Sequence, residues 1–479
     1  MNDYYSEFKP IRNLLKKLNI FDVLCDLKRL KSSNTPQLLP EIIEFLYINA
    51  VIYGKLSPSN HSTYNKDMHK IISKCSLLHD EVNRSFLTED NDPFLWFHKI
   101  SMNQSKSHSN NILNQIFRFY TIFSNNILRK HIENCLGINY HSFMLCTMWL
   151  YSIFREKGFR VNKSFFLRDN LMNTEFNRDN INKVLNILTE PIEEFKVNLK
   201  ASITYDDNIF IFHNRHHLKK PIFEYNNILC CFYYEHLLKQ VTSGIYYLAK
   251  IYEPTYQLGN AFGASFEKYI GIILDKINKD YDYVIEKEIT YSRGKGKNKD
   301  KTSDWIIIND DDIVFIECKT KRTRIDFKFF QSSESYREAV INETALAIKQ
   351  IYKVFDDYSR NIIKGLPYFS QKNFIPIVVY LEDDQLNFLN IEHEINIRVK
   401  ELLMSNDIDS SLPNKYPFHI YASDNFEIDA QIMFKKGFSN YFYEVSQGNI
   451  DEKYKLSFQY IQYFDKDFSN KFLTSKYCP

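Results

Sequence analysis

The chain has 479 residues, 44% of them hydrophobic and 16% aromatic, with a formal net charge of +2. That length gives two to three domains with ample core. The near-balanced charge excludes a chain that is basic over its whole surface, so any nucleic-acid surface is a local patch. Eight cysteines form no C-x-x-C pair. This excludes a zinc ribbon and suits a reducing, cytoplasmic setting. No basic-then-apolar leader opens the sequence, and the longest apolar run, Phe143 to Phe154, is too short for a bilayer. No membrane partner is expected. The richness in Asn, Lys, Ile, Phe and Tyr reads as the codon bias of an AT-rich microbial genome.

Residues 1–200 carry helix-period apolar spacing, as in Ile11, Leu14, Leu15 and Leu18, then Ile42, Ile43, Leu46 and Tyr47. Asn91-Asp92-Pro93 supplies caps and a first-turn proline for a helix to Met102. Ser109 to Ile127 reads as an amphipathic helix, and residues 140–155 as a helix apolar on most faces. Between 202 and 230 the pattern changes to short strands at Ile203-Thr204-Tyr205, Ile209 to Phe212 and Ile222-Phe223. His213-Asn214-Arg215-His216-His217-Leu218-Lys219-Lys220 lies between the last two. Its histidines suit a transition metal, but no acid or cysteine nearby completes a tetrahedral set; with Arg215, Lys219 and Lys220 the segment better suits a phosphate-facing loop, or a plain basic turn with exposed imidazoles. Residues 231–254 return to helix until Glu253-Pro254 breaks it, and the domain boundary is placed there. The divisions are therefore 1–254, mainly helical; 255–445; and an aromatic, helical extension over 446–479.

Gly259 to Asn278 reads as a long helix with a stripe of Phe262, Phe266, Ile270, Ile273, Leu274 and Ile277, and Glu267 at its edge. Asp282 to Tyr291 alternates as a strand. The basic stretch from Ser292 to Lys301 holds Arg293, Lys295, Lys297, Lys299 and Lys301. Its glycines mark a mobile loop suited to a phosphate backbone. It does not match the P-loop pattern.

From Thr302 to Lys319, two β-branched apolar runs flank an acidic turn, a hairpin signal. With Asp310 and Asp311 as central turn residues, Asp304 stands opposite Glu317, with Cβ atoms about 4.5–5.5 Å apart. Two like charges so placed repel, and a divalent cation between them turns the repulsion into a binding site. Lys319 leaves the same face as Glu317.

This Asp…Glu-x-Lys arrangement resembles the PD-(D/E)xK phosphodiesterase superfamily, the restriction-endonuclease-like nucleases, over roughly residues 258–385. Ser303 stands where the family often has proline. The resemblance implies that Asp304, Glu317 and the carbonyl of Cys318 hold Mg²⁺, with Mn²⁺ as a substitute. It implies that Lys319 orients the attacking water, and that Glu267 is the family's additional helix-borne acid. Lys321, Arg322 and Arg324, just past the motif, then join the loop cations as DNA-binding residues.

A helix from Ser333 to Tyr358 offers Lys349, Gln350 and Lys353 as accessory residues; Val354 stands where the RecB-like branch has tyrosine. Phe374 to Leu381 reads as a buried central strand. A helix (390–404), a strand (417–422) and a helix (428–434) follow. The expected architecture is α+β: a helical N-terminal half, then a restriction-endonuclease-like core with a mixed sheet. The expected function is a Mg²⁺-dependent DNA endonuclease of a microbial anti-phage or restriction system, with the helical half as the surface for a protein partner or second copy. A non-catalytic nucleic-acid- or partner-binding module on the same fold is the alternative.

Overall fold

The computed structural model describes residues 4–32, 39–56, 66–88, 112–167, 177–203, 216–252, 256–293, 299–320, 333–367, 372–381 and 391–447. The helix expected from Phe94 to Met102 and the strand expected at Ile209 to Phe212 lie outside them, as does nearly all of the 446–479 extension. The protein is α+β, with helices filling its N-terminal half. The chain forms two compact units. The first is drawn from Met1–Ile112 and Arg129–Pro254, the second from Leu113–Leu128 and Thr255–Tyr477. Leu113–Leu128 thus groups with the second unit, not with the helical half in which the sequence placed it. Among the described residues no helix is long and apolar enough to cross a membrane.

In the first unit, helices Tyr4–Leu15, Ile20–Ser32, Pro40–Tyr53 and Lys66–Thr88 pack through Phe8, Leu24, Leu46 and Ile71. A four-stranded sheet accompanies them, built from β1 (Arg160–Asn162), β2 (Thr189–Pro191), β3 (Ile222–Tyr225) and β4 (Ile228–Cys230), in the order β1-β4-β3-β2. Asn226 and Asn227 turn β3 into β4 with φ of 50° and 60°, a left-handed geometry that asparagine tolerates. β1 and β2 correct the reading of 1–200 as wholly helical. Three residues between helices are too few to show alternation.

The second unit is built on a five-stranded mixed sheet. Its members include β5 (Val284–Lys287), β8 (Trp305–Ile308), β9 (Asp312–Lys319), β10 (Asn373–Tyr380) and β11 (His419–Ala422), in the order β11-β10-β9-β8-β5. β5, β8 and β9 run antiparallel, while β9, β10 and β11 run parallel. β9 and β10 are buried almost throughout, which explains their unbroken apolar runs. On one face Ile306, Ile313 and Phe315 pack with Ile348, Tyr352 and Phe355 of helix Ser333–Ser359. On the other, the Trp305 indole lies against helix Tyr256–Ile277, where a Cβ on Gly271 would come within 2.1 Å of it.

Two expectations in this unit need correction. The strand expected over Asp282 to Tyr291 breaks at Glu288. Its second part, β6 (Thr290–Ser292), leaves the main sheet to pair with β7 (Lys299–Lys301), which the sequence read as loop. Thr302 fixes the break: its hydroxyl accepts the Ile289 N–H at 2.8 Å, and its own N–H donates to the Ile289 carbonyl at 3.0 Å. The helix expected over 428–434 runs from Ser423 to Lys436, and a further helix, Phe438–Ser446, follows it.

Candidate metal centre and nucleic-acid interface

The hairpin between β8 and β9 sets the geometry. Asn309 closes its turn by accepting the N–H groups of Asp311 and Asp312 at 2.9 and 2.6 Å. Trp305 pairs with Ile316 and Ile308 with Ile313. One rung beyond, Asp304 faces Glu317 on the same side of the sheet. Asp304 Oδ2 accepts the Cys318 N–H at 2.7 Å, which draws its carboxylate toward β9. Lys319 donates to Glu317 Oε1 at 2.7 Å. Helix Tyr256–Ile277 is tied to the same place by the Trp305 indole N–H, which donates to the Glu267 carbonyl at 2.9 Å.

The electrostatics mark a crowded acidic site. Burial, then Glu317 and Glu267, push the Asp304 carboxyl up to about 8. Burial also raises Glu317, with Lys319 opposing it, and raises Glu267, assisted by Glu288. Burial works against the Lys319 ammonium, but Glu317 and Asp304 outweigh it and keep the lysine charged. Glu317 Oε2 is buried and has no hydrogen-bond partner among the described residues. A buried carboxylate oxygen without a donor, beside a second carboxylate, matches a hard divalent cation. Among the described residues no three His, Cys, Asp or Glu side chains are grouped so that they could hold a metal ion. Asp304 and Glu317 are the facing carboxylates that could hold a cation here, a number Mg²⁺ accepts when water and phosphate complete its shell.

The sequence missed Glu288. Its N–H donates to the Asp304 carbonyl at 3.0 Å, extending the β5–β8 ladder by one rung beyond the Lys287–Trp305 pair. Glu288, Asp304 and Glu317 thus stand side by side across three neighbouring strands. Knowing that β5 pairs with β8 would have exposed this row; the local alternation at 282–291 could not.

The expected phosphate contacts divide. Lys295, Lys297, Lys321, Arg322 and Arg324 lie outside the described residues. Lys299 is exposed on β7. Arg293, its side chain 38% exposed, pairs with buried Asp357: Nη2 lies 2.5 Å and Nε 2.7 Å from Asp357 Oδ2, which also accepts the Tyr291 hydroxyl at 2.5 Å. Lys353 contacts Asp300 at 3.0 Å, and Gln350 is exposed. Arg293 and Lys353 therefore anchor the β6–β7 hairpin to helix Ser333–Ser359, because Asp300 and Asp357 supply carboxylates the local sequence did not reveal. Lys301 reaches Glu288 at 2.8 Å.

The histidine segment is also corrected. His213 and Arg215 lie outside the described residues, but His216 and His217 open a short helix. His216 meets Glu190 at 2.6 Å, and buried His217 meets Glu44 at 2.7 Å. Lys220 donates to the Ile187 carbonyl at 2.7 Å. The acids missing from the neighbouring sequence arrive from distant segments, so His217 is a packed core residue.

Compared with protein-family models, curated proteins and solved structures, the chain matches none.

Proposed function

We propose that the protein is a divalent-cation-dependent phosphodiesterase of the PD-(D/E)xK type, with a restriction-endonuclease-like core, acting on DNA. The observation that carries this reading is the facing pair Asp304 and Glu317 on adjacent strands, with Lys319 beside Glu317. The five-stranded mixed sheet, flanked by helices Tyr256–Ile277 and Ser333–Ser359, supports it. Asp304 and Glu317 would hold Mg²⁺ or Mn²⁺. The ion supplies Lewis acidity, polarising a phosphate oxygen and acidifying water. Lys319 orients the attacking water and offsets charge on the phosphoryl oxygens. Glu267 adds negative potential from the helix. The helical first unit fits the surface for a protein partner or second copy, and a DNA endonuclease effector of a microbial defence system is the biological setting the motif suggests.

Plasmid nicking in Mg²⁺ against EDTA tests this, with Asp304→Ala and Lys319→Ala alongside. Loss of Mg²⁺-dependent cleavage in both variants, with unchanged circular dichroism, is expected. Retained cleavage in both refutes the assignment and leaves a nucleic-acid- or partner-binding module.

A further inference from the structure

Phosphodiester cleavage needs a proton for the leaving oxygen, and Lys319 cannot serve both ends of an in-line displacement. Its ammonium is held at Glu317, on one side of Asp304. The other side carries a matching arrangement. Glu288 lies next to Asp304 on the opposite neighbouring strand, and Lys301 contacts it at 2.8 Å. The row therefore reads Lys319–Glu317, Asp304, Glu288–Lys301. We infer that Lys301, positioned by Glu288, is the general acid that protonates the leaving 3′-oxygen. The inference rests on the phosphodiesterase reading above.

Three observations support it. The two Lys–Glu pairs flank the central carboxylate from both sides, and attacking and leaving oxygens lie on opposite sides of phosphorus. Two strand spacings put the pairs roughly 10 Å apart. That is about the span of a phosphoryl group whose two apical oxygens each take a hydrogen bond. Secondly, Lys301 rides on an anchored element. Opposite it in the β6–β7 ladder is Thr290, and the hairpin is fixed by Tyr291 and Arg293 on Asp357 and by Lys353 on Asp300. Thirdly, the Lys301 side chain is 63% exposed, while Glu288 is 28% exposed, so the ammonium can turn to substrate without unfolding its support. In the step, the water oxygen bonds to phosphorus and its proton passes to bulk solvent, the bond from phosphorus to the 3′-oxygen breaks, and the Lys301 proton passes to that oxygen, leaving a 5′-phosphate and a 3′-hydroxyl. The neutral amine regains a proton from solvent.

The test compares duplex DNA carrying the natural 3′-oxygen with the same duplex carrying a 3′-bridging sulfur at one position. Thiolate leaves without a proton. With the oxygen substrate, Lys301→Ala is expected to lower kcat about 10²-fold, the contribution of one general acid, with KM little changed. With the sulfur substrate it should cleave nearly as fast as the wild type. Glu288→Gln should show a smaller kcat loss that is rescued in the same way, whereas Lys319→Ala should be impaired on both substrates. A Lys301→Ala defect of equal size on both substrates, or none on either, overturns the inference and leaves the phosphodiesterase standing. A wild-type protein that cleaves neither substrate overturns both.

Discussion

Asp304→Asn separates the stability of the site from its chemistry. Ionised Asp304 and Glu317 face each other across about 5 Å. At an effective dielectric of about 20 their repulsion is about 3 kcal/mol, which solvent at this half-buried site reduces to about 1–2 kcal/mol. The amide removes that repulsion while its oxygen still accepts from the Cys318 N–H. The sign follows from the carboxyl at Asp304, which the fold pushes up to about 8. The folded protein then holds a proton that the unfolded chain has already released at an ordinary carboxylate pH. The metal-free wild type therefore loses stability as pH rises from about 4 through 8, and Asp304→Asn does not share that loss. Thermal melts in EDTA should show the variant about 2–8 °C above the wild type at pH 9, with the gap clearly narrower at pH 6. Adding Mg²⁺ should raise the melting temperature of the wild type and leave the variant behind. The reasoning fails if the gap is the same at both pH values, or if the variant gains as much from Mg²⁺ as the wild type.

Other consequences follow from the packing around the site. Gly271→Ala places a methyl inside the Trp305 ring, so overpacking of about 1–3 kcal/mol should outweigh alanine's better helix propensity and lower both the melting temperature and cleavage. Within the second unit, buried Arg118 donates to Glu427 at 2.6 Å and pairs with Asp424, while the Tyr269 hydroxyl also donates to Glu427 at 2.7 Å. Arg118→Met leaves Glu427 uncompensated, and chemical denaturation should show a loss of about 3–5 kcal/mol. Asp357→Asn weakens the shared anchor of Arg293 and Tyr291; hydrogen exchange in the β6–β7 hairpin should rise while that of β9 and β10 stays unchanged. Equal protection of the hairpin in the two proteins would show that the anchor is not carried by charge.

Much of the hairpin was legible locally. Turn chemistry at Asn309 to Asp312 and the apolar runs on either side fix the register, and the register alone places Asp304 against Glu317. The long helix before the sheet, the helix after it and the central strand at 373–380 are equally local in origin, since apolar periodicity records which faces a segment buries. Partnerships over long sequence separation left no such trace. Glu288 joined the row only because β5 pairs with β8, and Thr302 then diverted the following residues into a separate hairpin. Asp357 supplied an ion-pair partner to Arg293, expected at a phosphate, and Asp300 one to Lys353, expected as an accessory residue of the metal site. Glu44 and Glu190 likewise turned a histidine-rich loop into a packed helix. Sequence determined what each segment could bury and where one tight turn must go. Tertiary structure decided which charges meet, because a charge takes its partner from whatever side chain lies within a few ångströms, however distant along the chain.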